Sequence, residues 1–227
     1  LRPLTADKPK AMVELNGKPI MAYQLEWLSS YGIEEIIVAC GYRAEVMQQY
    51  FGDGSRWNVN ITYLREPMAL GRGGALKSAV NYLFERNAPG LAEPLIALNG
   101  DLITNLPLDK FIAFFEKERP LAVVATVPLV SPYGIMAIDG DSLVSGFTEK
   151  PELPYWINAG MYAFTGEIMN LLPDVGDHEV LTLPQLAARG ELRAFKSDFF
   201  WRTVDTIKDV NAVQAELKAK PRHLIAQ

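Results

Sequence analysis

The sequence predicts an α/β protein built on a mostly parallel sheet, and three observations carry that prediction. Short apolar runs alternate with segments of helical spacing along the first half of the chain. That is the rhythm of strand–helix–strand units with right-handed crossovers. Residues 95–98 (Leu-Ile-Ala-Leu) are apolar without polar alternation, which reads as a strand covered on both faces. The run ends at once in Asn99-Gly100-Asp101, and open α/β sheets bind ligands at the carboxyl ends of their strands. Asn-Gly-Asp is equally good turn chemistry, so position alone leaves the role of Asp101 open.

Taken in order, Lys8-Pro9-Lys10 precedes a short apolar run, and Asn16-Gly17 makes a turn. A helix is expected over 19–30, with Ala22, Leu25 and Leu28 on one side and Gly32 placed to end it. Strand 36–39, helix 44–51 and strand 60–64 follow. A glycine-rich loop holding Glu66, Leu70, Gly71 and Gly73 then opens onto a helix over 75–85. Glycines let backbone approach a ligand closely, and a helix N-terminus offers free N–H groups. A plain flexible helix entry would use the same residues. The loop fails the dinucleotide fingerprint because its last position is Leu76, and it fails the P-loop because Leu76 stands before Lys77 where glycine is required.

After the strand at 95–98 come a helix over 108–118 and a strand over 122–127. The character then changes. Ser131-Pro132-Tyr133-Gly134 leads into two short strands joined by Asp139-Gly140, a hairpin signal, and Glu149-Lys150-Pro151 punctuates the second. A strand over 161–164 follows Asn158-Ala159-Gly160. These elements suggest an antiparallel lobe facing a cleft shared with the α/β half. Helices near 168–172 and 183–189, a strand over 199–205 ending in Asp205, and a helix begun by Thr206 or Asp209 close the chain.

Composition narrows the function. At 227 residues, with 49% hydrophobic and 22% charged residues, the chain suits a single domain over 1–227 with a full core. A net charge of −5 argues against nucleic acid as a partner, while leaving room for a local cationic phosphate site. The single Cys40 lies in an apolar run and reads as a core residue. His178 and His223 are far apart, which disfavours a histidine metal site. No stretch has the length of a membrane span and no signal peptide opens the chain, so no membrane partner and a cytoplasmic location are expected.

Five separated pieces, in order and in register from Leu1 to about Gln214, resemble the sugar-1-phosphate nucleotidyltransferases. Leu1-Arg2-Pro3-Leu4-Thr5 with Lys8-Pro9-Lys10 resembles the tail of their signature, and Leu70-Gly71-Arg72-Gly73-Gly74-Ala75 their base-recognition loop. Asn99-Gly100-Asp101 is similar to their metal motif, and Glu149-Lys150-Pro151 and Asn158-Ala159-Gly160 to their two sugar-phosphate motifs. The chain opens just after the family's catalytic arginine, so an upstream strand, glycine-rich loop and arginine are expected ahead of Leu1.

The resemblance implies a Rossmann-like three-layer α/β/α fold with a mixed, mostly parallel central sheet and a small antiparallel sugar-binding lobe. It implies an NTP and a sugar 1-phosphate as substrates, Mg²⁺ as cofactor, and room for a homo-oligomer. Lys10, Asp101 and Lys150 would be catalytic. Glu66, Leu70, Gly71, Gly73 and Gly100 would bind the nucleotide, and Tyr133, Gly134, Glu149, Lys150, Asn158 and Gly160 the sugar phosphate. One departure matters. Many relatives carry Trp-x-Asp-x-Gly-Thr where this chain has Trp201-Arg202-Thr203-Val204-Asp205-Thr206. Threonine is a poor Mg²⁺ ligand beside a carboxylate, so Asp205 is expected to join Asp101 as the metal pair, with helix capping as its alternative duty. Base and sugar stay open. The guanylyl branch acting on mannose 1-phosphate is nearest in general look, and Trp201…Asp205-Thr206 leans towards the cytidylyl branch acting on glucose 1-phosphate.

Overall fold

The computed structural model describes residues 1–66, 68–86 and 94–219; Pro67 of the glycine-rich loop lies outside them. A 3-10 turn at Lys10–Met12 leads into a small ladder of β1 (Glu14–Leu15) and β2 (Lys18–Pro19), folded back at Asn16-Gly17. Helix α1 (Ile20–Ser30), strand β3 (Glu35–Cys40), helix α2 (Ala44–Phe51) and strand β4 (Asn60–Arg65) follow. Next come helix α3 (Gly71–Arg86), strands β5 (Leu95–Leu98) and β6 (Leu102–Thr104), helix α4 (Leu108–Glu118) and strand β7 (Ala122–Val130). A hairpin of β8 (Ile135–Ile138) and β9 (Val144–Thr148) precedes the long strand β10 (Glu152–Phe164). The last part holds a 3-10 turn at Gly166–Asn170, helices α5 (His178–Leu181) and α6 (Leu183–Ala188), strands β11 (Leu192–Lys196) and β12 (Trp201–Thr203), and helix α7 (Ile207–Ala219).

The central sheet is mixed, in the order β11-β7-β10-β5. β11 runs parallel to β7, and β10 is antiparallel to both of its neighbours. So β5, β7 and β11 share one direction and β10 is the reversed strand. β3 and β4 pair in parallel, while β6 and β12 form a short antiparallel pair. Alternation along β7 explains the layering. Val123, Ala125 and Val127 join a core with Trp27 and Leu28 of α1 and Phe111 and Phe115 of α4. Ala122 and Val124 face the other way, against Val80 of α3, Ile168 and Leu186. Helices therefore cover both faces, giving the expected three layers. Each fully buried Leu or Phe contributes about 1.5–3 kcal/mol to holding them together.

Several elements differ from the sequence reading. Residues 95–98 are covered on both faces as expected, Ile96 and Leu98 against the core of α1 and α4 and Leu95 and Ala97 against that of α3, but each is only half-buried. Residues 161–164 belong to the central sheet, not to the antiparallel lobe. They are the end of β10, which starts at Glu152 and takes Pro154 and Gly160 in two register shifts. The hairpin connection spans 139–143, not two residues. The Asp139 side chain accepts from the N–H groups of Asp141 and Leu143, which widens the turn. Helix α3 begins at Gly71, ahead of the expected 75. The strand over 199–205 shortens to β12, since the Val204 N–H leaves the ladder to donate to the Asp101 carbonyl. The 168–172 helix is a 3-10 turn. The short strands β6 and β11 were not expected from the sequence. Cys40 is buried, in keeping with a core role, and burial pushes its thiol up. Among the described residues no helix is long and apolar enough to cross a membrane.

Candidate active site

Asp101 follows directly on the carboxyl end of β5. Buried Gln24 of α1 fixes that turn by donating from one amide nitrogen to the carbonyls of Asn99 (2.9 Å) and Leu102 (3.0 Å). Opposite it, the 3-10 turn after Pro9 is anchored by buried Met12 and brings Ala11 close to Gly100. This aims Lys10 across the turn. Its ammonium donates to Asp101 Oδ2 at 2.5 Å and to Asp205 Oδ1 at 2.6 Å. Two carboxylates that start 104 positions apart thus share one cation. Partial burial works against the charge on Lys10, but the hydrogen bonds and charges of Asp101 and Asp205 outweigh it and raise the lysine's pKa. Asp205 is held below the ordinary carboxylate range, first by the Lys10 hydrogen bond and also by one from Thr203. Beside this cluster lies an open cleft of about 400 Å³ lined by Arg2, Lys8, Lys10, Tyr42 and Asp205. Its cations suit an anionic ligand.

The cap of α7 leaves Asp205 free for this duty. Thr206 N–H donates to Asp209 Oδ2 at 2.8 Å, and Asp209 N–H returns a bond to Thr206 Oγ1 at 3.2 Å. That reciprocal pair is a capping box.

Asn158 and Gly160 lie at a bulge of β10 against the same turn. Gly160 holds φ +71, and a Cβ there would sit 2.5 Å from the Asn99 amide nitrogen. Its carbonyl accepts from the Asn99 N–H at 2.9 Å. Gly160 N–H in turn donates to Asn158 Oδ1 at 2.8 Å. Gly134 and Glu149, expected on the sugar side, also meet: a Cβ on Gly134 would sit 2.9 Å from Glu149 Oε2. Tyr133 is exposed, and Lys150 is exposed with left-handed backbone at φ +47. No hydrogen bond or ion pair joins either of them to the Asp101 cluster among the described residues.

The glycine-rich loop is drawn against the segment before α5. Gly73 N–H donates to the Gly176 carbonyl and Gly176 N–H to the Leu70 carbonyl, both at 2.8 Å. Gly71 has φ +74, and a Cβ there would lie 2.6 Å from the Gly176 oxygen. So these glycines admit a neighbouring backbone, whatever else they admit. Glu66 shapes the same loop by accepting from Leu70 N–H at 3.2 Å. Sequence reasoning missed Gln24, Asp177 and Glu179. Gln24 gave one signal, a polar residue next to the apolar face of α1.

Among the described residues, no three His, Cys, Asp or Glu side chains form a metal-holding group. Two carboxylates converging on one cation do fit Mg²⁺, which is usually held by one or two carboxylates with substrate phosphates and water completing the shell.

Solved structures share this architecture. HddC from Yersinia pseudotuberculosis aligns with a TM-score of 0.74 at 26% identity, over 96% of this chain and 93% of that one. A putative glucose-1-phosphate thymidylyltransferase from Bacillus anthracis, in complex with sucrose, gives 0.73 at 18% identity over 95% and 89%, a likeness of fold alone. The class is that of the sugar-phosphate nucleotidyltransferase fold. Within it, the chain belongs to the nucleotidyl transferase family, whose model matches residues 1–220. A mannose-1-phosphate guanyltransferase of Yarrowia lipolytica is 34% identical over 92% of the chain, and a catalytic subunit beta of mannose-1-phosphate guanylyltransferase from Drosophila pseudoobscura pseudoobscura is 32% identical over 92%. The chain spans 58% and 57% of those two relatives.

Proposed function

We propose that the chain carries the catalytic fold of a nucleotidyltransferase that makes an NDP-sugar and pyrophosphate from an NTP and a sugar 1-phosphate, with GTP and mannose 1-phosphate as the favoured pair. One observation carries the reading: Lys10, Asp101 and Asp205 converge at the end of β5, against the turn that presents Asn158 and Gly160. The guanylyl preference rests on the curated relatives and on HddC, which has also been solved complexed with GMP-PN.

In the reaction an oxygen of the sugar phosphate attacks the α-phosphorus of the NTP. A new P–O bond forms as the bond to pyrophosphate breaks. Both partners are anions, so positioning and charge compensation supply most of the rate. Asp101 and Asp205 would hold Mg²⁺, which supplies charge neutralisation at the phosphates. With the carboxylates so engaged, Lys10 turns its ammonium to the triphosphate. Lys150, on the sugar side, offers a point charge to the sugar phosphate. Glu149, Asn158 and the Gly134 and Gly160 turns accept or donate to sugar hydroxyls. Glu66, Leu70, Gly71, Gly73 and Gly100 form the nucleotide side.

The test is a matrix of NTPs against sugar 1-phosphates with the full-length protein, read by pyrophosphate release. GTP with mannose 1-phosphate should lead. A lead for CTP with glucose 1-phosphate would favour the cytidylyl reading that Asp205-Thr206 suggests. Nucleotide-sugar binding without release from any pair would make the protein a non-catalytic relative.

A further inference from the structure

One hydrogen-bonded chain runs from the glycine-rich loop to the sugar turn through residues outside the proposed catalytic set. Arg72 donates through Nε to Asp177 Oδ2 at 2.9 Å, through Nη2 to the same oxygen, and through Nη1 to Glu179 Oε1 at 2.8 Å. Glu179 Oε1 also accepts from the Tyr162 hydroxyl at 2.6 Å. The Tyr162 oxygen accepts from Asn158 Nδ2 at 2.7 Å, and Asn158 Oδ1 accepts from Gly160 N–H at 2.8 Å. Tyr162 is 1% exposed, so the middle of this chain is sheltered from water, while Arg72 and Asn158 towards its two ends are exposed. His178 packs edge-on against the Tyr162 ring at 4.9 Å, and among the described residues neither of its ring nitrogens has a hydrogen-bond partner, so it does not compete for the tyrosine proton.

The direction of each bond follows from proton count. A carboxylate paired with a guanidinium only accepts. The single Tyr162 proton therefore goes to Glu179, and the tyrosine oxygen is left as an acceptor. Asn158 must then turn its NH₂ towards Tyr162 and its oxygen towards Gly160 N–H. The opposite flip would set two acceptors against each other at Tyr162 and two donors against each other at Gly160. One N–H and one oxygen lone pair of Asn158 remain, at fixed places, for a ligand.

We propose that Arg72 is a positioning residue for the sugar: by holding Glu179 as an acceptor it fixes which edge of Asn158 donates to, and which accepts from, the sugar hydroxyls. This rests on the reading that Asn158 faces the sugar. It also ties the loop assigned to the nucleotide to the selection of the sugar.

Three variants test it: Arg72→Met, Glu179→Gln and Tyr162→Phe, with Arg72→Lys as the conservative rescue. A glutamine at 179 can donate to Tyr162, which frees the tyrosine proton for Asn158 and removes the penalty at Tyr162, leaving the Gly160 N–H alone to oppose the flip. Tyr162→Phe keeps the ring packing and deletes only the hydroxyl, so it reads the relay even if another variant fails to fold. Expected are a rise of about tenfold in the KM for sugar 1-phosphate and less than about twofold in the KM for NTP, with partial recovery in Arg72→Lys. Against a panel of monodeoxy sugar 1-phosphates, the wild type should reject one member sharply, and Glu179→Gln should lose that rejection. Equal impairment for both substrates, with the deoxy discrimination intact, would reduce the chain of bonds to a structural brace and overturn the proposal. Asn158→Ala separates the two levels. If it leaves the sugar KM unchanged, the placement of the sugar on Asn158 fails. If it raises that KM while the three variants do not, the relay alone fails.

Discussion

At position 205 the chain places a carboxylate two residues before a helix, where capping would be its ordinary use. The capping box of Thr206 and Asp209 takes that duty, and the Asp205 side chain turns to Lys10 instead. Asp205→Ala should therefore raise the Mg²⁺ needed for half-maximal pyrophosphate release while shifting the thermal midpoint little. A large loss of stability with unchanged Mg²⁺ dependence would return Asp205 to a structural role. His178 supports a second expectation. Burial holds its pKa below the ordinary 6.5, against the pull of Glu179 and Asp177 and with the push of Arg72. As pH falls below 6.5 the unfolded chain takes up a proton that the folded chain resists, so stability drops from that pH downward. Denaturation midpoints between about pH 7.5 and 5.5 should show the decline, and His178→Leu should flatten it. Of these groups, Thr206 and Asp209 were legible as alternative starters of the last helix, though not as a reciprocal pair. The sequence favoured Asp205 for the site with capping as its alternative; the contact that turns it to the site is with Lys10, far away in sequence.

At the scale of elements, the glycine-rich loop and the segment before α5 are fastened by main-chain bonds at a separation too small for side chains. Gly74 lies in the first turn of α3, and a Cβ there would overlap the Asp174 carbonyl oxygen. Gly74→Ala should cost about 1–3 kcal/mol of unfolding free energy, the usual toll of overpacking, measured by denaturant titration. An unchanged stability would mean that the two segments can part freely. The sequence showed a glycine run and a helix entry. It could not show the partner, since Gly71 and Gly176 lie a hundred positions apart with no pattern between them. The same limit hid β6 and the true length of β12, which was expected over 199–205. Each is three residues long, too short for a period to register, and each is defined by the other across a distant pairing. The longer elements were legible because their apolar spacing is local: α2 and α4 match their expected bounds.

For the molecule as a whole, burial is distributed unevenly. Ala122, Val123, Ala125, Ala163 and Phe164 are completely buried, whereas Ile135, Met136, Ile138, Val144 and Phe147 of the β8–β9 hairpin are exposed. Hydrogen exchange followed by mass spectrometry should find amides of 122–127 and 161–164 the slowest and those of 135–148 among the fastest. A hairpin as protected as the core would show that its apolar face is covered in solution. Between these extremes stands Trp201, whose indole N–H donates to the Ala159 carbonyl at 2.7 Å, between Asn158 and Gly160, while its backbone leads towards Asp205. The ring thus lies against the turn that presents Asn158 and Gly160. Trp27 is on the buried face of α1, Trp57 packs with Tyr50 and Phe51, and Trp156 lies exposed under Lys196. Emission from Trp201, isolated by subtracting a Trp201→Phe blank, is an optical gauge already built into the protein. A ligand that settles against the Asn158–Gly160 turn should change it in real time, without a dye and without turnover.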